Sequence, residues 1–478
     1  MFYGREDLID ALFRLFRKRT SSLVTCRGRR RIGKSTLIER FAERSEARFI
    51  KIEGLRPKKG LSNEDELANF ASQLAAQTNC ESTPPSNWLN AFLRLDRELK
   101  DGERTVVLLD EVSWMAHYDP TFAGTLKIAW DNHFKKHPSL VFILCGSVST
   151  WIRDSIIEDG TFYGRRSLDI VVPELPLSEC VKFWGDAATR IDRREIIDVL
   201  SVTGGVPRYL EEIDPGASAS ENIGRLCYSP KGVLREDFDE MFNDVITKQP
   251  TFTAQVMRTL LDSSKSVAEI AKALGISRGG RISEAMEQLE EAGIVSADVA
   301  KNPQTGENAR ETRYRLKDNY SRFYLKYVEP VKEMIDMGAF SFGSLESLDG
   351  WDSVMGLSFE NLVVNNVRAL VKPLGLEAAH LLSAAPYSRR GDKNGKDGGV
   401  QVDLLIQARR SICVVEIKRR REIGREVIDE VAEKVKRIPR PDNMSVRTAL
   451  VYEGHLAPIV EADGYFDAVI PFRRLLNI

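Results

Sequence analysis

Two groups of residues in this chain have the types and spacing needed for phosphate chemistry. The first is Gly28-Arg-Arg-Arg-Ile32-Gly33-Lys34-Ser35-Thr36, a G-x-x-x-x-G-K-S pattern running out of the apolar stretch Ser22-Leu-Val-Thr-Cys26. Glycines at its ends let the backbone curl so that successive N–H groups point at phosphate oxygens, and a following helix adds its amino-terminal dipole. In such a loop Lys34 reaches the β- and γ-phosphates of ATP, and the Ser35 hydroxyl ligates Mg²⁺. The partner is Val106-Val-Leu-Leu-Asp110-Glu111, where two carboxylates end an apolar strand. Asp110 is placed to hold the metal through water, and Glu111 to polarise the attacking water as general base. Ser147 ends the next apolar run as a sensor of the γ-phosphate. Arg165 and Arg166 are candidates to neutralise transition-state charge, in cis or from a neighbouring subunit, or else are plain surface arginines.

The second group lies near the carboxyl terminus. Val400-Gln-Val-Asp403-Leu-Leu-Ile and Ser411-Ile-Cys-Val-Val-Glu416-Ile-Lys418 read as two β-branched strands joined by a basic turn. Glu416 and Lys418, at i and i+2, share one face, and hairpin pairing brings Asp403 toward it. Two acids and a lysine on an apolar sheet suit metal-dependent phosphodiester cleavage: the acids bind Mg²⁺, which activates water, and Lys418 orients the nucleophile or phosphate. The bland alternative is an amphipathic strand with a polar face. Against it, Glu416 and Lys418 interrupt an otherwise apolar run, where an unpartnered acid is costly.

The elements that must position these groups follow from hydrophobic periodicity. An amphipathic helix at 7–18 precedes the first strand, and a helix at 37–43 follows the loop. Further strands at 48–53, 105–109 and 140–145 alternate with helices, the pattern of a parallel sheet with helices on both faces. Residues 173–245 are helical. Helices at 252–262, 266–274 and 280–292, then strand-like pieces at 294–299 and 311–316 around a polar loop, have the layout of a winged helix-turn-helix. Its basic residues Arg278, Arg281, Lys301, Arg310, Arg313, Arg315 and Lys317 suit phosphate contacts, whereas Glu284, Glu287, Glu290 and Glu291 oppose them, so DNA contact and a packing role both stand. Residues 329–350 read as a linker, 389–399 as a mobile hairpin loop, and 422–437 as a charged helix.

Composition sets the outer bounds. The 478 residues exceed one core, and 42% hydrophobic with 29% charged residues is an ordinary soluble balance. A formal net charge of −1 means that any nucleic-acid surface is local. Six cysteines without C-x-x-C spacing suggest a reduced, cytoplasmic protein rather than a zinc or disulfide framework. The amino terminus lacks a signal-peptide core, and no apolar run is long enough to cross a bilayer, so no membrane partner is expected.

The set Phe2-x-Gly-Arg5-Glu6, 28–36, Leu109-Asp-Glu111, Gly146-Ser147, Gly164-Arg-Arg166 and Gly204-Gly-Val-Pro207 resembles the archaeal-type ATPase family, in the signal-transduction-like branch of AAA+ NTPases. That resemblance implies an AAA+ P-loop core at 1–172 and a helical lid at 173–245, with Arg5 and Pro207 bordering the nucleotide base. Gly28, Ile32, Gly33, Lys34, Ser35, Thr36, Asp110, Ser147, Arg165, Arg166 and Pro207 are then the residues expected around ATP and Mg²⁺. Asp403…Glu416-x-Lys418, with Glu360 on the helix that opens the unit, is similar to the restriction-endonuclease-like PD-(D/E)xK fold and to the domain usually appended to these ATPases. The expected whole is an α/β multidomain protein: core, lid, winged helix-turn-helix at 246–328, linker, and nuclease-like domain at 351–478. Glu111, Glu360, Asp403, Glu416 and Lys418 are the catalytic candidates, with Glu360, Asp403 and Glu416 holding the second metal. Expected partners are nucleic acid, DNA above RNA, with a homo-oligomer as an open alternative. The alternatives are a nucleotide-switched regulator that binds DNA without cutting it, and a scaffold ATPase of a defence or mobile-element assembly.

Overall fold

The computed structural model describes residues 2–477 except Asp101, Val148, Thr247, Lys248, Arg310, Ala378 and 392–397. Arg310, Lys393 and Lys396, and most of the hairpin loop expected at 389–399, therefore lie outside the described residues. The chain divides into two compact units, Met1–Glu174 and Leu175–Ile478. Among the described residues no helix is long and apolar enough to cross a membrane.

The first unit is built on five strands: β1 (Ser22–Arg27), β2 (Arg48–Glu53), β3 (Thr105–Asp110), β4 (Leu140–Gly146) and β5 (Arg166–Val171), in the order β2-β3-β4-β1-β5. All four pairings are parallel. Strands β3 and β4 are buried at every position, and β1 at all but its last, because helices cover both faces. Their carboxyl ends form one edge, where ligands bind in sheets of this kind. Strand β5 escapes a reading by periodicity: Arg-Ser-Leu-Asp-Ile-Val is short and mostly exposed or half-buried, as an edge strand is.

The second unit contains the small antiparallel pair β6 (Val295–Asp298) and β7 (Arg313–Leu316), preceded by helices Pro250–Arg258, Val267–Leu274 and Gly280–Glu291. Its larger sheet comprises β8 (Leu381–Arg389), β9 (Val400–Ala408), β10 (Ser411–Ile423), β11 (Ser445–Leu456) and β12 (Ala468–Pro471). The order is β12-β11-β10-β9-β8, antiparallel from β8 to β10 and parallel from β10 to β12. Val402, Leu405, Val414 and Leu450 of this sheet share a core with Val427 and Val431 of helix Glu426–Arg437. One expectation changes here. Strand β10 continues through Arg419-Arg-Arg421 to Ile423, so the basic run is extended chain and the helix begins only at Glu426. The stretch 329–350, read as a linker, is packed along its length: Phe342 stacks on Tyr228 at 4.4 Å, and Leu345 N–H donates to Ser220 Oγ at 3.0 Å.

Just past β2 the chain is tied down beside Asp110. Gly54 N–H donates to the Asp110 carbonyl at 3.0 Å, and Leu55 N–H to the carboxylate of Glu66 at 3.0 Å. Glu66 lies on helix Asn63–Gln77, almost wholly buried, and burial pushes its carboxyl from 4.5 up to about 7. The folded chain thus holds this proton more tightly than the unfolded one. The associated stability is complete below about pH 4.5 and is lost as pH rises to about 7. Glu66→Gln should abolish that slope, worth on the order of 2 kcal/mol, in urea unfolding compared at the two ends of the window. An unchanged slope would show that another group carries it.

Candidate functional site

At the carboxyl edge of the first sheet, the glycine loop connects β1 to helix Lys34–Arg44. Gly28 has φ +147°, and a Cβ there would lie 2.8 Å from the Val172 carbonyl oxygen, so only glycine fits. Gly33, at φ +82°, is crowded by the Arg5 guanidinium, 2.9 Å from where its Cβ would be. Arg5 is buried, donating to the carbonyls of Ile32 and Gly33 and, at 3.4 Å, of Pro173. Arg5, the residue expected to border the nucleotide base, braces the loop through these bonds. Lys34 Nζ donates to the carbonyls of Gly28 and Arg29 at 3.0 and 3.1 Å, which holds the ammonium across the loop. Ile32 is buried and Thr36 exposed at the helix start.

Across the edge, Ser35 Oγ–H donates to Asp110 Oδ2 at 2.6 Å, the pair expected to flank Mg²⁺. The donors fit a hard cation: a hydroxyl and a buried carboxylate one hydrogen bond apart. Lys51 Nζ, on β2, lies 3.5 Å from the same carboxylate oxygen and 3.0 Å from Glu39. Burial alone would lower this ammonium, but Glu39 and Asp110 outweigh it and hold it above its usual value. Glu111 sits at φ +50°, a left-handed conformation that turns it off the end of β3. Its Oε2 accepts from Ser147 N–H at 3.1 Å and Ser147 Oγ–H at 2.9 Å. The expected base and the expected sensor are therefore in direct contact.

Arg165 and Arg166 are not brought to this edge. Arg166 pairs with Leu23, at the amino-terminal end of a parallel sheet whose glycine loop leaves after Arg27. Four residues of strand separate the two levels by about 13 Å. Arg165 makes a two-point bond to Asp131, at 2.8 and 3.0 Å, and holds that carboxyl below its usual range. This register sets both arginines away from the glycine loop of their own chain, and action on a neighbouring subunit and a plain surface role both stay compatible with it. Pro207 opens the short helix Pro207–Leu210 in the second unit.

In the second unit, the β9–β10 ladder ends at Leu404–Val415, and the strands part just where the acids stand. Asp403 Oδ2 fills the gap by accepting the Ile417 N–H at 2.8 Å. Glu416 has no exposed surface. Its two oxygens meet Lys418 Nζ at 2.7 Å and Lys434 Nζ at 2.6 Å, and Lys434 also reaches within 3.7 Å of Asp403. Lys418 contacts Glu430 at 2.9 Å. Burial lifts Asp403 to about 6, with Glu416 adding to it, and Glu360 to about 8, with Asp403 and Glu416 adding to it. Among the described residues no three carboxylate, imidazole or thiol groups stand close enough to clasp an ion as they are. Asp403 and Glu360 nevertheless suit one: their oxygens are hard and buried, and burial together with the neighbouring carboxylates raises their proton affinity.

Glu360 and Asp403 line a cavity of about 440 Å³ together with Arg313, Arg315, Arg322 and Ser264. Two of the basic residues expected to face DNA, Arg313 and Arg315, thus line this cavity, whereas Arg278 and Arg281 are exposed. Arg315 bonds Asp298 at 3.0 Å and also Asn361, and Arg313 pairs with Glu269 at 3.0 Å. Arg281 lies over the Phe252 ring at 3.8 Å.

Residues 2–213 match the family model described as an ATPase domain predominantly from Archaea. The amino-terminal part of the chain is an archaeal-type ATPase domain. The uncharacterized protein MJECL04 of Methanocaldococcus jannaschii is 21% identical over 368 residues, 76% of each chain. The Walker-type ATPase of Pyrococcus abyssi superposes with a TM-score of 0.51 at 17% identity, over 68% of this chain and 96% of that one. The Aeropyrum pernix ORC2 protein gives 0.40 at 14%, over 71% and 96%. The likeness to the Pyrococcus abyssi ATPase concerns fold alone.

Three residues of the two sites went unread in the sequence. Lys51, in the ATPase domain, looks like one of the polar positions of an edge strand. Glu430 and Lys434, at i and i+4, look like a solvated face of an amphipathic helix. The available signal was their register: both fall on one side of helix Glu426–Arg437, one turn apart. Asn361, next to Glu360, also emerges only in three dimensions. It is buried, donates to the carbonyls of Leu316 and Lys317 and to Asn319 Oδ1, and accepts from Arg315. Asn361→Ala removes all four of these bonds and should cost about 2–4 kcal/mol in chemical denaturation. A loss below a few tenths of that would show that water replaces the amide.

Proposed function

We propose that the chain is an ATP-hydrolysing AAA+ protein whose second unit is a Mg²⁺-dependent nuclease acting on nucleic acid, DNA in preference to RNA. ATP sits on the glycine loop, with Lys34 drawn to its phosphates and Ser35 and Asp110 holding Mg²⁺. Glu111 orients water, and its bond to Ser147 couples that carboxylate to the end of β4. Residues 173–245 serve as lid, 246–328 as a winged helix-turn-helix that packs rather than reads bases, and 351–478 as the PD-(D/E)xK domain.

The observation that carries the nuclease reading is the meeting of Asp403, Glu416 and Lys418 where β9 and β10 part, with Glu360 in the same cavity. When bound there, Mg²⁺ supplies a polarised water and charge neutralisation at the scissile phosphate. The acids hold it, Lys418 positions the nucleophile or the phosphate, and Lys434 keeps Glu416 and Asp403 together. A second reading, a nucleotide-switched regulator that binds without cutting, is favoured by the two lysines already paired with Glu416.

Lys34→Ala should abolish ATP binding. Glu111→Gln should keep binding and lower turnover by about 10² or more, measured as phosphate release. Glu416→Ala should eliminate Mg²⁺-dependent cleavage of labelled DNA while ATP turnover continues. Cleavage that persists in a clean Glu416→Ala preparation refutes the nuclease reading, and a shifted but intact band in the wild type supports the regulator.

A further inference from the structure

Beyond Lys418, strand β10 carries Arg419, Arg420 and Arg421 in succession. In a regular strand these side chains would alternate between faces. Here the register with β11 slips between Arg419 and Glu422, the mark of a bulge. Gly454, at φ +125°, makes the bulge possible: a Cβ there would lie 1.7 Å from the Arg420 carbonyl oxygen. As a result all three arginines line one cavity of about 450 Å³, joined by Arg194 near the start of helix Arg193–Thr203.

This cavity is separate from the carboxylate centre. Lys418 points to Glu430 on one face of β10, whereas Arg419 bonds Asp198 of helix Arg193–Thr203 on the other. Four guanidiniums line it against two carboxylates, Asp352 and Glu453. Arg419 is engaged by Asp198, and Arg420 stands 4.0 Å from Glu426. Among the described residues the guanidiniums of Arg194 and Arg421 have no hydrogen-bond or ion-pair partner; both are exposed at the cavity mouth. Planar forks with idle donors, converging on a hollow with excess positive charge, are suited to phosphate oxygens. The volume accommodates a diphosphate or a single nucleotide.

We propose that this cavity, set by the β10 bulge, is a second anion site that binds phosphate groups through Arg194, Arg420 and Arg421. The phosphate comes either from a free phosphorylated small molecule or from a nucleic-acid backbone. The site depends on neither the ATPase nor the nuclease reading.

The test is calorimetric titration of sodium pyrophosphate into the full chain, with every comparison made on a Lys34→Ala background that disables the glycine loop without adding a nucleotide able to fill this cavity. Binding is expected in that parent and should weaken by about tenfold or more in Arg194→Ala/Arg421→Ala, a change of exposed residues. Gly454→Val, which removes the bulge and leaves every arginine in place, should weaken it likewise. A short single-stranded oligodeoxynucleotide distinguishes the sources. Competition with pyrophosphate that is lost in the double variant identifies a backbone, and absence of competition identifies a free anion. No binding of pyrophosphate, or equal affinity in parent and double variant, overturns the site.

Discussion

A carboxylate with no exposed surface has to be matched by positive charge, and Glu416 imposes that requirement on the second unit. Lys418 answers it from the same strand and Lys434 from helix Glu426–Arg437, so sheet and helix are fastened by one buried acid. Asp403 adds a second negative charge a few ångströms away, where β9 and β10 no longer pair. Glu360 adds a third acid, and burial drives the proton affinities of Asp403 and Glu360 upward. Lys418 and Lys434 offset part of this charge, and the raised proton affinities of Asp403 and Glu360 are the physical motive for the cation proposed at this place.

The ATPase domain solves a related problem with backbone. Its loop presents amides toward phosphate oxygens only if the carbonyls on the other side are satisfied, and Arg5 satisfies those of Ile32 and Gly33 from behind. Asp110 is shared between Ser35 and Lys51, and Glu111 is fixed by Ser147. The two sites therefore share a principle, since each functional charge is held in place by a partner from a different element.

Much of this was legible in residue order. The glycine loop, the acids ending β3 and the β9–β10 hairpin all rest on local patterns: spacing, apolar runs and alternation. What stayed hidden depends on tertiary context. Strand β5 is an edge with little apolar content. Lys434 and Glu430 cannot be told from a solvated helix face until β10 is laid against them. Arg165 and Arg166 look adjacent to the nucleotide in a motif list, yet parallel strand direction puts them at the other end of the sheet. The arginines of β7 have the composition of a DNA-contacting wing, and only their partners Asp298, Asn361 and Glu269 reveal that they face inward.

The amide of Asn361 stitches helix Trp351–Val364 to the carbonyls at the end of β7, one residue from Glu360. A rigid stitch so near an acid has a mechanical corollary. A shift at the end of β7 is passed through these bonds to the helix that carries Glu360. The region from 246 to 328 is thereby geared to the carboxylate cluster, and a pull on one would be felt as a change of spacing in the other.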